Sequence, residues 1–109
     1  MANRKSNDKN YKSVIINTAP GASGYYTDTV SSRDNRLGKM FMSIRGTFSA
    51  TVTLQFKPVG DTSWTDYDTF TETTRQVIED YTDCQWRVGV ASGDYTSGTV
   101  KAGIDYGEY

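Results

Sequence analysis

Two carboxylate pairs and one thiol are the side chains here with reactive chemistry to offer. They are Asp66 with Asp68, Glu79 with Asp80, and Cys84. Paired carboxylates could serve a glycosidase, which needs two of them flanking a sugar cleft, one with a raised pKa. On an extended strand, residues two apart share a face. Asp66 and Asp68 are therefore expected together on one wet face, and nothing in the sequence places a cleft over them. A catalytic Cys84 would want an imidazole to draw off its proton. The chain has no histidine, which removes that partner, the Ser-His-Asp triad and any histidine metal site. A lone cysteine forms no internal disulfide, so Cys84 is expected to be a half-buried structural thiol.

The remaining motifs are weaker. GDTSWTDYD lacks the D-x-D-x-D-G spacing of a calcium loop. GASG at 21–24 runs into a strand-like YY with no helix start, so it does not cradle phosphate. KPVGDTSWTDY has an Asp-box outline, S-x-D-x-G-x-T-W, but only Ser63 and Trp64 align, with Val59 and Asp61 at the Asp and Gly positions. It is expected to be a hairpin whose tryptophan caps the core. No cofactor and no metal are expected, and the expected class is non-enzymatic.

The elements that must position these groups are strands. No window carries apolar residues at the helical i, i+3, i+4, i+7 spacing. YKSVIINT, YYTDTVS, KMFMSIR, ATVTLQFK, WTDYDTF, RQVIED, QWRVGVA and TVKAGIDY read instead as short strands. In ATVTLQFK, Val52, Leu54 and Phe56 face one way, while Thr51, Thr53, Gln55 and Lys57 face a wet side. PVGDTS and SGDYTSG read as turns. The expected fold is all-β: an antiparallel β-sandwich or small jelly roll of about eight strands. Its expected core is Met40, Met42, Ile44, Val52, Leu54, Phe56, Trp64, Phe70, Trp86, Val88, Val90, Val100 and Ile104, with Ala102 and Tyr106 also inward. Residues 1–10 are too polar to join that core and read as a flexible arm, leaving 11–109 as a single domain.

With 109 residues and a net charge of −1, bulk electrostatic binding to nucleic acid or to a membrane surface is not expected. No apolar run approaches a membrane span, and MANRKSNDKN lacks the apolar centre of a secretory signal. A protein made and kept in a cytosol-like compartment is the expectation. The charge is uneven: Arg4, Lys5, Lys9 and Lys12 oppose only Asp8 in residues 1–12, whereas residues 79–109 hold six acids against Arg87 and Lys101. The basic arm could lie on an acidic neighbour. The eight tyrosines have three readings: strand propensity with edge packing, a protein interface, or a sugar platform. Tyr95, Tyr106 and Tyr109 are candidate partner-binding residues.

GTFSATVTLQFKPVGDTSWTDYDTF followed by YTDCQWRVGVASGDYTSGTV resembles a type of small all-β virion structural protein of tailed bacteriophages. The likeness lies in Ala50–Gln55 leading to Gly60–Trp64, and Trp86–Val90 leading to Gly93–Val100, and covers roughly residues 46–102. With the domain size it implies a cement (decoration or staple) protein. Such a chain would sit on the virion's capsid exterior, bind the major capsid protein, and associate with itself as a homodimer or homotrimer. The alternative is a neck, tail or fibre component, possibly a glycan-binding module using tyrosines and Trp64.

Overall fold

The computed structural model describes residues 11–31, 39–80 and 83–105, and every regular element within them is a strand. In chain order these are β1 (Tyr11–Ile16), β2 (Tyr25–Tyr26), β3 (Val30–Ser31), β4 (Lys39–Arg45), β5 (Phe48–Ala50), β6 (Val52–Pro58), β7 (Thr65–Phe70), β8 (Thr74–Glu79), β9 (Cys84–Val90), β10 (Tyr95–Gly98) and β11 (Val100–Asp105). All pairings are antiparallel. Among the described residues there is no helix long and apolar enough to cross a membrane.

One sheet runs β1-β11-β4-β8, the other β2-β9-β6-β7 with β3 also on β9, and β5 and β10 form a short ribbon. Counting β2 and β3 as one broken strand and setting the ribbon aside, the orders are 1-8-3-6 and 2-7-4-5. The chain changes sheet at every connection except the β6–β7 hairpin. That is jelly-roll order, and the all-β sandwich expected from the alternation holds.

The count rises from about eight strands to eleven for local reasons. Residues 25–31 break at Thr27–Thr29, Thr51 interrupts β5 and β6, and part of the expected turn SGDYTSG is strand β10. Gly46 (φ 106°) and Gly98 (φ 92°) lie where the β4–β5 and β10–β11 connections cross. A Cβ on Gly46 would strike the Thr99 carbonyl, and one on Gly98 the Thr47 carbonyl. Only glycine gives both the positive φ and the close approach that let the ribbon leave the sheet.

Period-two alternation builds the core from both sheets. Ile16, Met40, Met42, Ile44, Ile78, Val100, Ala102 and Ile104 come from one layer; Val30, Val52, Leu54, Trp86, Val88 and Val90 come from the other. Cys84 is buried with them rather than half-buried. Phe56 and Phe70 pack at the margin. Asp80, paired with Glu79 in the sequence, is buried and accepts a 2.7 Å hydrogen bond from Trp86 Nε1. A buried indole N–H needs such a partner.

Trp64 corrects the sequence reading most. It does not cap the core but lies half-exposed on the outer face of the second sheet. The reason is local: it ends the hairpin connection just before β7, where two cations on the outer face offer a better seat than the filled interior.

Candidate functional site

The outer face of the β2-β9-β6-β7 sheet is assembled around Arg87. Its guanidinium carbon lies 3.9 Å from the centre of the Tyr26 ring and 4.3 Å from that of Trp64. Arg87 Nε donates to Gln55 Oε1 at 2.8 Å, and Gln55 Nε2 donates to Asp66 Oδ1 at 2.8 Å. Lys57 Nζ sits 5.2 Å from the Trp64 ring centre. Register explains the chain of contacts, because Gln55 is directly opposite both Arg87 on β9 and Asp66 on β7. Tyr26 reaches Arg87 by lying over Gly89, whose missing side chain leaves the room.

This cover buries the face expected to be wet. Thr53 and Gln55 are 4% and 9% exposed. Burial holds the Tyr26 phenol above its ordinary pKa; the nearby Arg87 pulls it down, and Asp66 and Asp94 push it up. Burial likewise lowers the Arg87 pKa, against a raising effect of Tyr26.

The carboxylates do not gather. A bulge at Tyr67 breaks the β6–β7 register, so Asp66 pairs with Gln55 but Asp68 pairs with the core residue Leu54. Simple alternation put both on one face, and the extra residue separates them. Asp68 instead accepts from the Thr69 backbone N–H at 2.8 Å. Tyr67 itself turns toward Trp86 and Phe56, with ring centres 5.0 and 6.0 Å away in edge-on geometry.

The outer face of the β1-β11-β4-β8 sheet is built differently. Register sets one row as Tyr11, Asp105, Phe41 and Val77, and the next as Ser13, Gly103, Ser43 and Arg75. Tyr11 lies over Gly103, where a Cβ would meet the end of its ring. Asp105 is buried, so the surface of the row belongs to Tyr11 (38% exposed), Phe41 (38%) and Val77 (50%). Ile15, at 64%, lies farther along β1. Tyr11, Phe41, Ser43, Arg75 and Val77 border one open groove. Several apolar side chains left together in this way mark a contact surface more than scattered exposure does.

Of the residues singled out by sequence for partner binding, two lie in described strands. Lys12 is in β1, half-buried and opposite Ile104. Tyr95 is half-buried against the core margin, and its hydroxyl donates to the Gly98 carbonyl at 2.7 Å. It therefore closes the β10 turn. Arg4, Lys5, Lys9, Tyr106 and Tyr109, with the polar arm 1–10, lie outside the described residues. The alternation in KMFMSIR, with Met40, Met42 and Ile44 inward, leaves Phe41 on the outer side of its strand but does not join it to Tyr11 and Val77. Their alignment depends on β1 and β8 flanking the β11–β4 pair, and no local pattern encodes that.

No family model matches this chain, and no curated protein does. Among solved structures it is similar to the crystal structure of Yersinia pseudotuberculosis-derived mitogen (YPM), at 14% identity and a TM-score of 0.48, over 88% of this chain and 85% of that one.

Proposed function

We propose that this chain is a non-enzymatic structural protein of a phage virion, a cement protein on the capsid exterior, built into the shell through the outer face of the β1-β11-β4-β8 sheet. The observation that carries this reading is the exposed row Tyr11, Phe41 and Val77, an apolar surface on a rigid sheet. A cement protein needs such a face and no reacting groups.

Three further observations support it. Jelly-roll order recurs in viral capsid proteins, although also in lectins, so the fold alone does not assign the role. The carboxylates that could have served a hydrolase are apart or engaged: Asp66 with Gln55, Asp80 with Trp86. Trp64 and Tyr26, the rings a glycan would stack on, clasp Arg87 instead of flanking an open cleft. A single weak contact would be multiplied across a symmetric shell, since avidity turns modest affinity into stable attachment.

The test is the copy number of the chain in purified particles, by quantitative mass spectrometry against the major capsid protein. A cement protein gives a simple fraction of the capsid subunit count. Phe41→Asp should fold and yet be missing from particles. A chain found in lysate and never in particles overturns the reading.

A further inference from the structure

We infer that Lys12 guards the free edge of β1: its charge, carried on the inner side of an edge strand, keeps extended chains from adding to the sheet, β1 of a second copy first among them. That edge needs a guard whether or not the protein is a cement.

Each unpaired edge of a sheet presents a row of backbone N–H and C=O groups that another strand can bond. Among the described residues the edges are β1 and β8 on the first sheet, and β7 and the broken β2–β3 strand on the second. The second sheet's edges are spoiled by shape. β2 and β3 have two residues each, and β7 carries the bulge at Tyr67 between two exposed carboxylates, Asp66 and Asp68. β1 has no such defect. Its six residues, YKSVII, hold neither proline nor glycine and pair with β11 in unbroken register. Val14, Ile15 and Ile16 are β-branched, which suits the pleated surface of a sheet that could grow.

What β1 has instead is a charge on its core side. Lys12 is directly opposite Ile104, and the row continues through Met42 to Gln76. Directly opposed residues share a face, and Ile104 and Met42 are buried in the core. Spacing along β1 agrees, because Lys12 alternates in step with Val14 and Ile16, which pack in that same layer. Lys12 is half-buried and makes no ion pair with any described residue. An unpaired ammonium is not stable in a dry layer. Its stem covers apolar surface while its head reaches water past the free edge. A strand added to β1 would lie across that exit and strip the charge of its water.

The β8 edge carries a milder form of the same device. Gln76 ends that row on the inner side and is half-buried. An amide covered by a new strand can still find hydrogen-bond partners, whereas an ammonium also needs a carboxylate. β1 is therefore the better defended of the two regular edges, and a second copy is its worst partner. An antiparallel pairing that keeps both cores on one side of the joined sheet brings two Lys12 charges into one layer.

Sedimentation velocity of the purified full chain over a range of concentrations tests the inference. Lys12→Val and Lys12→Thr serve as neutral, β-branched replacements, and Lys12→Glu as a charged one. Both neutral variants should associate, their weight-average mass rising at least about twofold above that of the wild type at the highest concentration. Lys12→Glu should sediment as the wild type does, since a carboxylate resists burial as an ammonium does. Far-UV circular dichroism should give all three variants the wild-type spectrum, which separates edge pairing from misfolding. Hydrogen exchange at β1 should slow when the neutral variants associate. Folded neutral variants no larger than the wild type overturn the inference. So does association of Lys12→Glu to the same extent, or association that leaves exchange at β1 unchanged. The presence or absence of the chain in particles decides the cement reading and leaves these outcomes as they are.

Discussion

Tyr26 lies over Gly89 on one sheet and Tyr11 lies over Gly103 on the other. Beyond that shared device the two outer faces part. Tyr26 continues onto Arg87, and Trp64, Gln55 and Asp66 complete a cover whose polar groups satisfy one another. Tyr11 leads to Phe41 and Val77, which stay open, with Arg75 and Glu79 unpaired with any described residue beside them. A closed face contributes to the stability of its own fold. An open one leaves apolar area in contact with water.

That contrast can be broken at several points. The largest effect is expected at Gly89→Ala, whose Cβ would collide with the Tyr25 backbone carbonyl. Backbone cannot swing aside, so urea unfolding should show a loss of about 3 kcal/mol. Arg87→Ala removes two ring contacts and strands the buried Gln55; a loss of about 2 kcal/mol is expected in the same assay. Gly103→Ala meets only the far end of the Tyr11 ring, which can rotate away. Its cost should be no more than about 1 kcal/mol, and near-equal costs at the two glycines would refute the contrast.

The closed face should also sense alkaline pH. Tyr26 holds its proton more tightly when folded than its ordinary pKa of 10.0 allows, first because burial disfavours the phenolate. The unfolded chain releases that proton first, so this stability is complete below pH 10 and is lost as pH rises through and beyond it. Unfolding midpoints of Tyr26→Phe should fall less between pH 9 and 11 than those of the wild type, and parallel curves would count against it. The smallest effect belongs to the open face. Phe41→Ser should change stability by under about 0.5 kcal/mol in urea unfolding, while lowering incorporation into particles if the proposed attachment through this face holds.

Much of this fold can be read from the chain. Val52, Leu54 and Phe56, or Met40, Met42 and Ile44, announce their strands and inner sides because burial on one face imposes a period of two. The covering of the outer faces cannot be read that way. Thr53 and Gln55 look like solvent-facing residues, and they are buried because β2, paired with β9 at Gly89, carries Tyr26 onto that face beside Arg87. A signal was nevertheless present: glycine within the strands QWRVGVA and TVKAGIDY marks places where another group comes close. The candidate site was less legible than the scaffold. The stretch with the clearest local pattern, residues 46–102, supplies most of the second sheet, whereas Tyr11 and Phe41 precede it. A bulge such as that at Tyr67 leaves no mark in local hydrophobicity, so Asp66 and Asp68 are separated by a feature that spacing alone cannot show.

The pairing of β1 with β11 has a consequence for how the chain reaches this state. Among the described residues β1 has no sheet neighbour other than β11, the last described strand in chain order. Until residue 105 emerges, β1 has no ladder partner and Ile16 has no completed layer to enter. Closing the longest loop among the described pairings must precede the reward for doing so, which makes folding slow. Circular permutation that joins β11 directly to β1 as a hairpin would convert that distant contact into a local one, and refolding should accelerate while the finished sandwich stays the same.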